Sequence, residues 1–335
     1  MRKINIVNIG GGTGRFTLLS GLKKYPANIS AIVSMADDGG STGKLRDELG
    51  VLPPGDVRQC LVALSDSSET LRELMNYRFE RGNLKGHSFG NLLLSALEKI
   101  TGDFTKGVGE AARILNVKGE VIPVTGEDMR IDIRLKNGEI LKGENELDDN
   151  PKIKKIGVEE VYPRKNVKAD KRALEKIRSA DLIVIGPGDL FASVIPNFLI
   201  KEISDAIKKS KCKTVFNCNL TNKKGLTEGF SLEDYIRMIE KYIGKGRVDY
   251  VTFNSKMPSR DLIKKYERKE GKGAIVGLAK NKSNKRSYKV IRADLLQTAK
   301  VTPNKNDAIG ATRSFIRHDS EKLARVIMAI VKLKK

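Results

Sequence analysis

The residues best suited to holding a charged ligand sit in short glycine-rich turns, each of which follows an apolar run. Gly10-Gly11-Gly12-Thr13-Gly14 ends the run Ile4 to Ile9. It opens a segment, Arg15 to Leu22, with Phe16, Leu19 and Leu22 on one side at helical spacing. Backbone N–H groups free of Cβ atoms at a helix start favour a phosphate, because aligned peptide dipoles leave positive charge there, worth roughly 0.3–1 kcal/mol or more. Thr13 can add a hydroxyl and Arg15 a positive charge. The spacing departs from G-x-G-x-x-G, since Arg15 stands three residues after Gly12, and an ordinary strand-to-helix turn is the alternative.

A second such loop, Ala36-Asp37-Asp38-Gly39-Gly40-Ser41-Thr42-Gly43, follows the β-rich run Ile29 to Met35 and is too glycine-rich to continue either element. Asp37-Asp38 lies about 25 residues beyond Gly12, where nucleotide folds place a carboxylate that accepts from ribose hydroxyls. Adjacent carboxylates point apart. One can face a ligand while the other caps Ser41-Thr42 or holds Mg²⁺, and plain helix capping by Asp38 or Ser41 competes with both readings. Asp56 and Arg58, in Pro53-Pro54-Gly55-Asp56-Val57-Arg58, stand at another helix start and alone read as ordinary capping. His87 and Asn91, in Gly86-His87-Ser88-Phe89-Gly90-Asn91, stand at a third; a lone histidine there is more often structural than a base. Gly186-Pro187-Gly188-Asp189 is a second phosphate-type turn, although Asp189 would repel an anion unless a metal or sugar hydroxyl intervened. No nucleophile–base pair stands out: Cys60 is mid-helix, and neither histidine has a Ser or Cys at triad spacing.

These turns need strands and helices to carry them. Helical periodicity runs from Val57 to Leu115 in four pieces, and the closing stretch Asp319 to Val331 is an amphipathic helix with Ser320 and Asp319 as N-cap candidates. Leu182 to Ile185, Thr214 to Asn217, Val248 to Phe253 and Ala274 to Val276 read as strands between helices. Alternation in Met129 to Leu135, the turn Lys136-Asn137-Gly138-Glu139 and Ile140-Leu141 spell a hairpin. The sum is an α/β chain with a doubly wound, mainly parallel sheet in three layers, a helical segment and a small β-hairpin insert. The core is expected over 1–118 and 180–335, and the insert over 119–165.

Composition excludes several classes. The 335 residues are 39% hydrophobic and 31% charged, and no apolar stretch approaches the roughly 18 residues that span a bilayer. Met1 to Val7 reads as a strand rather than a signal peptide, so a cytoplasmic protein without membrane insertion is expected. Three cysteines without Cys-x-x-Cys spacing and two histidines argue against a disulfide scaffold or structural zinc. The net charge of +22 raises the question of nucleic acid. Much of it lies in lysine runs such as Lys208-Lys209-Ser210-Lys211, and aromatics are only 5%, so a nucleic-acid partner is not expected.

Six ordered motifs, Asn8 to Gly14, Ala36 to Arg46, Pro53 to Arg58, Gly86 to Asn91, Gly186 to Gly188 and Ile316-Arg317-His318-Asp319, resemble the CofD-like family over nearly the whole chain, in particular its YvcK, or gluconeogenesis-factor, branch. The resemblance implies a Rossmann-like core, a pocket for a UDP-sugar or an NAD-like dinucleotide, and a cytoplasmic role in carbon partitioning and cell shape. Carried over by position, Gly11, Gly12, Thr13, Gly14 and Arg15 would hold diphosphate; Asp37 or Asp38, followed by Gly39 and Ser41, a sugar hydroxyl or Mg²⁺. Asp56, Arg58, His87 and Asn91 would wall the pocket with Gly186 and Gly188, and Arg317 would bring a charge from far along the chain. The family has Ser after Gly-Pro-Gly where this chain has Asp189. Its Met-Thr…Gly-Glu-Thr stretch matches Asn217 to Glu228, with Asn219 facing the pocket, only loosely. The other branch, 2-phospho-lactate transferases, uses Mg²⁺ and releases a nucleoside monophosphate. A regulator that binds UDP-N-acetylglucosamine without turnover is therefore the leading expectation, a Mg²⁺-dependent phosphotransferase the second and an RNA-binding protein the third. A homo-oligomer is admitted.

Overall fold

The computed structural model describes residues 2–279, 286–297 and 315–333. Among the described residues ten strands follow one another as β1 (Ile4–Gly10), β2 (Ala27–Val33), β3 (Glu120–Pro123), β4 (Ile131–Leu135), β5 (Ile140–Lys142), β6 (Val158–Pro163), β7 (Leu182–Ile185), β8 (Lys213–Asn217), β9 (Tyr250–Asn254) and β10 (Lys289–Ala293). Seven form the main sheet in the order β10-β9-β8-β7-β1-β2-β3, with every neighbouring pair parallel. Burial on both faces explains the composition of the central strands: β7 is Leu-Ile-Val-Ile with all four residues buried, and the last five residues of β1 are buried too.

Helices cover this sheet because their apolar residues recur every three or four positions. Leu232–Ile243 buries Leu232, Tyr235, Ile236, Ile239 and Ile243, and Ser231 starts it with a capping box completed by Asp234. Burying each such side chain contributes about 1.5–3 kcal/mol. Between β2 and β3 the chain runs through five helices, Gly40–Leu49, Gly55–Leu64, Glu69–Asn76, Phe89–Thr101 and Phe104–Ile114. The last four match the helical segment expected from periodicity. The first does not: it begins inside the glycine-rich loop at Gly40, with buried Leu45 and Arg46 anchoring a start that its glycines disfavour.

The stretch read as a β insert divides. Glu120–Pro123 pairs with β2 as the outer strand of the main sheet, whereas β4 and β5 form the expected hairpin and join β6 in a separate antiparallel sheet. Ala274 to Val276 was expected to be a strand. It makes only an isolated antiparallel bridge, Ile275 to Thr221, and the seventh main strand is β10. With Lys289 and Arg292 on an edge strand that has no fully buried residue, β10 lacks the apolar run that marks β7. Among the described residues, no helix is long and apolar enough to cross a membrane.

Candidate functional site

From β1 the chain moves outward through β2 to β3, and from β7 it moves outward the other way through β8 and β9 to β10. The order thus reverses between β1 and β7, and in doubly wound sheets the crevice for a ligand opens at the carboxyl ends of the two strands that flank such a reversal. Here those ends carry the two glycine turns, Gly10 to Gly14 and Gly186 to Gly188. They interlock: a Cβ on Gly14 would lie 2.8 Å from the Pro187 carbonyl oxygen, and one on Gly188 would lie 2.9 Å from the Gly11 carbonyl oxygen.

The helix Gly12–Leu22 has no side-chain cap of its own and no acid in its first turn. Its free N–H groups are therefore open to an anion, with one exception. Asp56, at the start of Gly55–Leu64, reaches across so that its Oδ2 accepts the Gly12 N–H at 3.1 Å. Arg15 does not face outward. It is fully buried, donating to the carbonyls of Gly10 and Ile32, so its positive charge lies beneath the turn. The Thr13 side chain lies outside the described residues.

Asp37 and Asp38 part company. Asp38 accepts the backbone N–H groups of Glu144 and Asn145 at 3.2 and 2.7 Å, tying the loop after β2 to the small sheet. Asp37 stays on the crevice side, with one oxygen accepting the Gly39 N–H at 3.0 Å. Burial and then the Asp56 carboxylate push the Asp37 carboxyl up to about 7. Burial also raises Asp56, against the pull of Arg15, the Gly12 N–H and Arg58. Glu144 is raised as well, first by burial and then by Asp37. Among the described residues no group of three or more His, Cys, Asp or Glu is arranged to hold a metal ion. The carboxylates whose charge raises Asp37 are Asp56 first and then Asp38, and carboxylate oxygens of this kind suit a hard cation.

Four of the expected residues form one buried network. Ser41 Oγ lies 3.0 Å from His87 Nδ1 and accepts from Asn91 Nδ2 at 3.2 Å, while Asn91 Oδ1 accepts from Arg58 Nε at 2.9 Å. Arg58 also bonds Asn76. His87 is thus held as a hydrogen-bonded residue of the wall, one position before the Ser88 cap of Phe89–Thr101.

On the β7 side, three carboxamides hold the second turn by its carbonyls. Asn8 and Asn217 both donate to the Gly186 oxygen, at 3.0 and 3.2 Å, and Asn219 donates to that of Gly188 at 2.9 Å. Thr252 fixes Asn217 in turn, its hydroxyl donating to Asn217 Oδ1 at 2.8 Å. Asp189 is answered by a cation: it caps the turn at Leu190–Val194 through the N–H groups of Phe191 and Ala192, and Lys223 pairs with it at 2.8 Å. Burial alone would raise the Asp189 carboxyl, yet Lys223 and the two N–H groups together hold it below the usual range. The closing motif arrives at the same edge. His318 hydrogen-bonds the backbone of Cys218, between Asn217 and Asn219, and bridges to Leu296. Arg317, half-buried, is its chain neighbour.

Asn8 and Arg46, which donates to the Asp37 carbonyl at 2.7 Å, bound two of the quoted motifs, and Asn217 and Lys223 lie in the loosely matched stretch, yet spacing assigns none of them a role; Glu144 lies in no motif at all. The signal for the asparagines was an amide inside or ending an apolar strand, which costs free energy unless its partners are built in.

A seven-stranded parallel sheet flanked by helices, with two glycine turns meeting at its switch point, makes this a Rossmann-like α/β protein. The family described as 2-phospho-L-lactate transferase CofD matches residues 6–296. The chain belongs to this CofD family. It is 35% identical over 99% of both chains to the protein named gluconeogenesis factor of Bacillus subtilis. To the gluconeogenesis factor of Halalkalibacterium halodurans it is 43% identical, over 82% of this chain and 85% of that one. A crystal structure titled protein BH3568 from Bacillus halodurans superposes with a TM-score of 0.86 at 37% identity, covering 98% of this chain and 100% of that one.

Proposed function

We propose that the chain is a cytoplasmic ligand-sensing regulator of gluconeogenic carbon supply and cell shape that binds a nucleotide sugar, such as UDP-N-acetylglucosamine, or a dinucleotide across the two glycine turns. The observation that carries this reading is the contact of Gly14 with Pro187, which brings the open N–H groups of one turn against the other at the switch point. A diphosphate spans two adjacent turns of this kind, and the half-buried Asp37 stands where a hydroxyl of the sugar or ribose would be recognised. The name gluconeogenesis factor, carried by relatives matched over nearly their full length, favours a gluconeogenic role. A thermal-shift titration with UDP-sugars, NAD and GMP, with and without Mg²⁺, tests it. A ligand raises stability by RT ln(1 + [L]/Kd), so at 100 times Kd the gain is about 2.7 kcal/mol. No shift with any nucleotide would sink the reading.

The facing carboxylates of Asp37 and Asp56 favour a second reading, a Mg²⁺-dependent phosphotransferase. Asp37 and Asp56 would hold the ion, which would supply charge neutralisation between carboxylates and phosphate. Arg15 would oppose, from below, the rise that burial imposes on Asp56, and the glycine N–H groups would orient the phosphate. This reading requires release of a nucleoside monophosphate from an activated phospholactate donor, followed by chromatography; a blank at high enzyme concentration counts against it.

A further inference from the structure

We propose that a second anion site lies at the amino ends of β1, β2 and β3, at the opposite end of the sheet from the glycine turns, and holds a small phosphate-bearing anion between Lys3 and Lys23. A cavity of about 820 Å³ opens there, and its wall contains Lys3, Lys23, Lys24, Lys118 and Lys176 against a single carboxylate, Glu120. Three of the five ammonium groups are already answered. Lys24 pairs with Glu321, Lys118 with Asp66 and Lys176 with Glu120. Among the described residues, Lys3 and Lys23 have no carboxylate within salt-bridge distance. Lys23 Nζ donates to the Ser65 carbonyl at 2.6 Å.

Lys23 is half-buried and crowded by its own sign. Its ammonium is held below the ordinary lysine value by burial first, then by Arg72, with Lys118 and Lys24 adding to the effect and Asp66 opposing it. A second negative charge in the cavity would relieve that crowding, which is the electrostatic condition for binding an anion rather than merely decorating a surface. Cations at helix carboxyl ends complement the helix dipole, and Lys23 and Lys176 stand at such ends. Lys3, which precedes β1, and Lys118, on the loop before β3, belong to no helix, so the excess of charge exceeds what dipoles call for. The cavity is open to solvent on one side, and a compact anion with two charges, of the size of pyrophosphate or a sugar phosphate, matches its two unanswered ammonium groups.

Residue-resolved lysine acetylation of the full chain, followed by peptide mass spectrometry, tests the site with pyrophosphate as probe and potassium chloride at matched ionic strength as control. Pyrophosphate is expected to slow acetylation of Lys3 and Lys23 at least fivefold while leaving exposed Lys201 and Lys264 unchanged, and the chloride control is expected to do neither. Saturating UDP-N-acetylglucosamine should not abolish this protection. Calorimetry should show pyrophosphate binding weakened at least tenfold by the double variant Lys3→Ala/Lys23→Gln and retained by Lys23→Arg; Lys3→Ala alone serves if the double variant does not fold. Unchanged labelling, equal slowing of all lysines, loss of protection on adding the UDP-sugar, or protection by a single-stranded oligonucleotide but not by pyrophosphate would each overturn the proposal. A chain that fails to bind any UDP-sugar, yet keeps the protection, would sink the reading of the glycine turns and leave this one standing.

Discussion

Gly14 and Pro187 touch across the switch point of the sheet, so closely that a Cβ on Gly14 would stand 2.8 Å from the Pro187 carbonyl oxygen. The contact joins the first and seventh strands' turns into one surface although 173 residues separate them in the chain, as their numbers 14 and 187 give. Any ligand that uses N–H groups from both turns depends on it.

Replacing Gly14 by alanine should therefore break the usual rule for helices. Alanine normally stabilises a helix interior relative to glycine by roughly 1 kcal/mol. At Gly14 the added methyl meets backbone that cannot retreat, and we expect a net loss of about 1–3 kcal/mol together with loss of nucleotide binding. Gly109, in Phe104–Ile114, has nothing within 4 Å of its would-be Cβ. Gly109→Ala should raise the urea midpoint while Gly14→Ala lowers it, and a shift in the same direction for both would refute the packing argument.

Asn219→Ala should weaken ligand binding without removing a ligand contact of the turn itself. The carboxamide holds the Gly188 carbonyl at 2.9 Å, and its loss costs about 0.5–1.5 kcal/mol of stability. Nucleotide affinity measured by calorimetry should fall about tenfold, as expected when roughly 1.4 kcal/mol of turn pre-organisation is lost. Equal affinity in the variant would show that the turn is held without it.

Stability should fall with rising pH through Asp37. Its carboxyl is pushed up to about 7 in the folded chain from an ordinary 3.8, so the folded state binds the proton more tightly. That contribution is fully present below pH 3.8 and is lost as pH rises through 7. Asp37→Asn should accordingly gain thermal stability over the native chain as pH goes from 5 to 8. Parallel melting curves for the two chains across that range would rule the carboxyl out as the source.

His318 should act in the opposite sense. Burial lowers it to about 4 from 6.5, against the pull of its hydrogen bond to the Cys218 backbone. The neutral ring's contribution is present above pH 6.5 and is lost as pH falls through 6.5 towards 4, by at most about 3 kcal/mol. Proton NMR can follow it directly, because the chain has only two histidines and His87→Gln leaves one. A titration midpoint near 6.5 in the folded protein would contradict the burial seen here.

Much of the fold was legible because period and burial coincide. The run Leu182 to Ile185 is apolar on both faces because it is central in a parallel sheet, and the four helices from Gly55 to Ile114 follow the 3.6-residue repeat of their buried sides. β10 escaped because its half-exposed residues alternate no cleaner than a loop would, and Gly40–Leu49 escaped because its glycines argue locally against the helix that Leu45 and Arg46 impose by burial. Within the site, Ser41, Arg58, His87 and Asn91 were each ambiguous capping residues in isolation. Only their convergence in one network of hydrogen bonds separates them from ordinary helix starts.

The sequence by itself determined the glycine turns, the alternation that builds a doubly wound sheet, and the family to which the chain belongs, since all three are written in local spacing. Which way each side chain points was decided by the tertiary structure. Arg15 follows the glycines and carries the right charge for a phosphate, yet the fold turns it inward to the carbonyls of Gly10 and Ile32, because a guanidinium beneath the turn has hydrogen-bond partners there. Asp37 and Asp38 are adjacent and chemically identical, and the loop between β2 and Gly40–Leu49 sends one to the crevice and the other to the backbone of Glu144 and Asn145. Asp189 stands where an anion would be repelled, and a lysine 34 positions along the chain, from 189 to 223, neutralises it. Charge and spacing are properties of a segment, whereas the partner that answers a charge is chosen by topology.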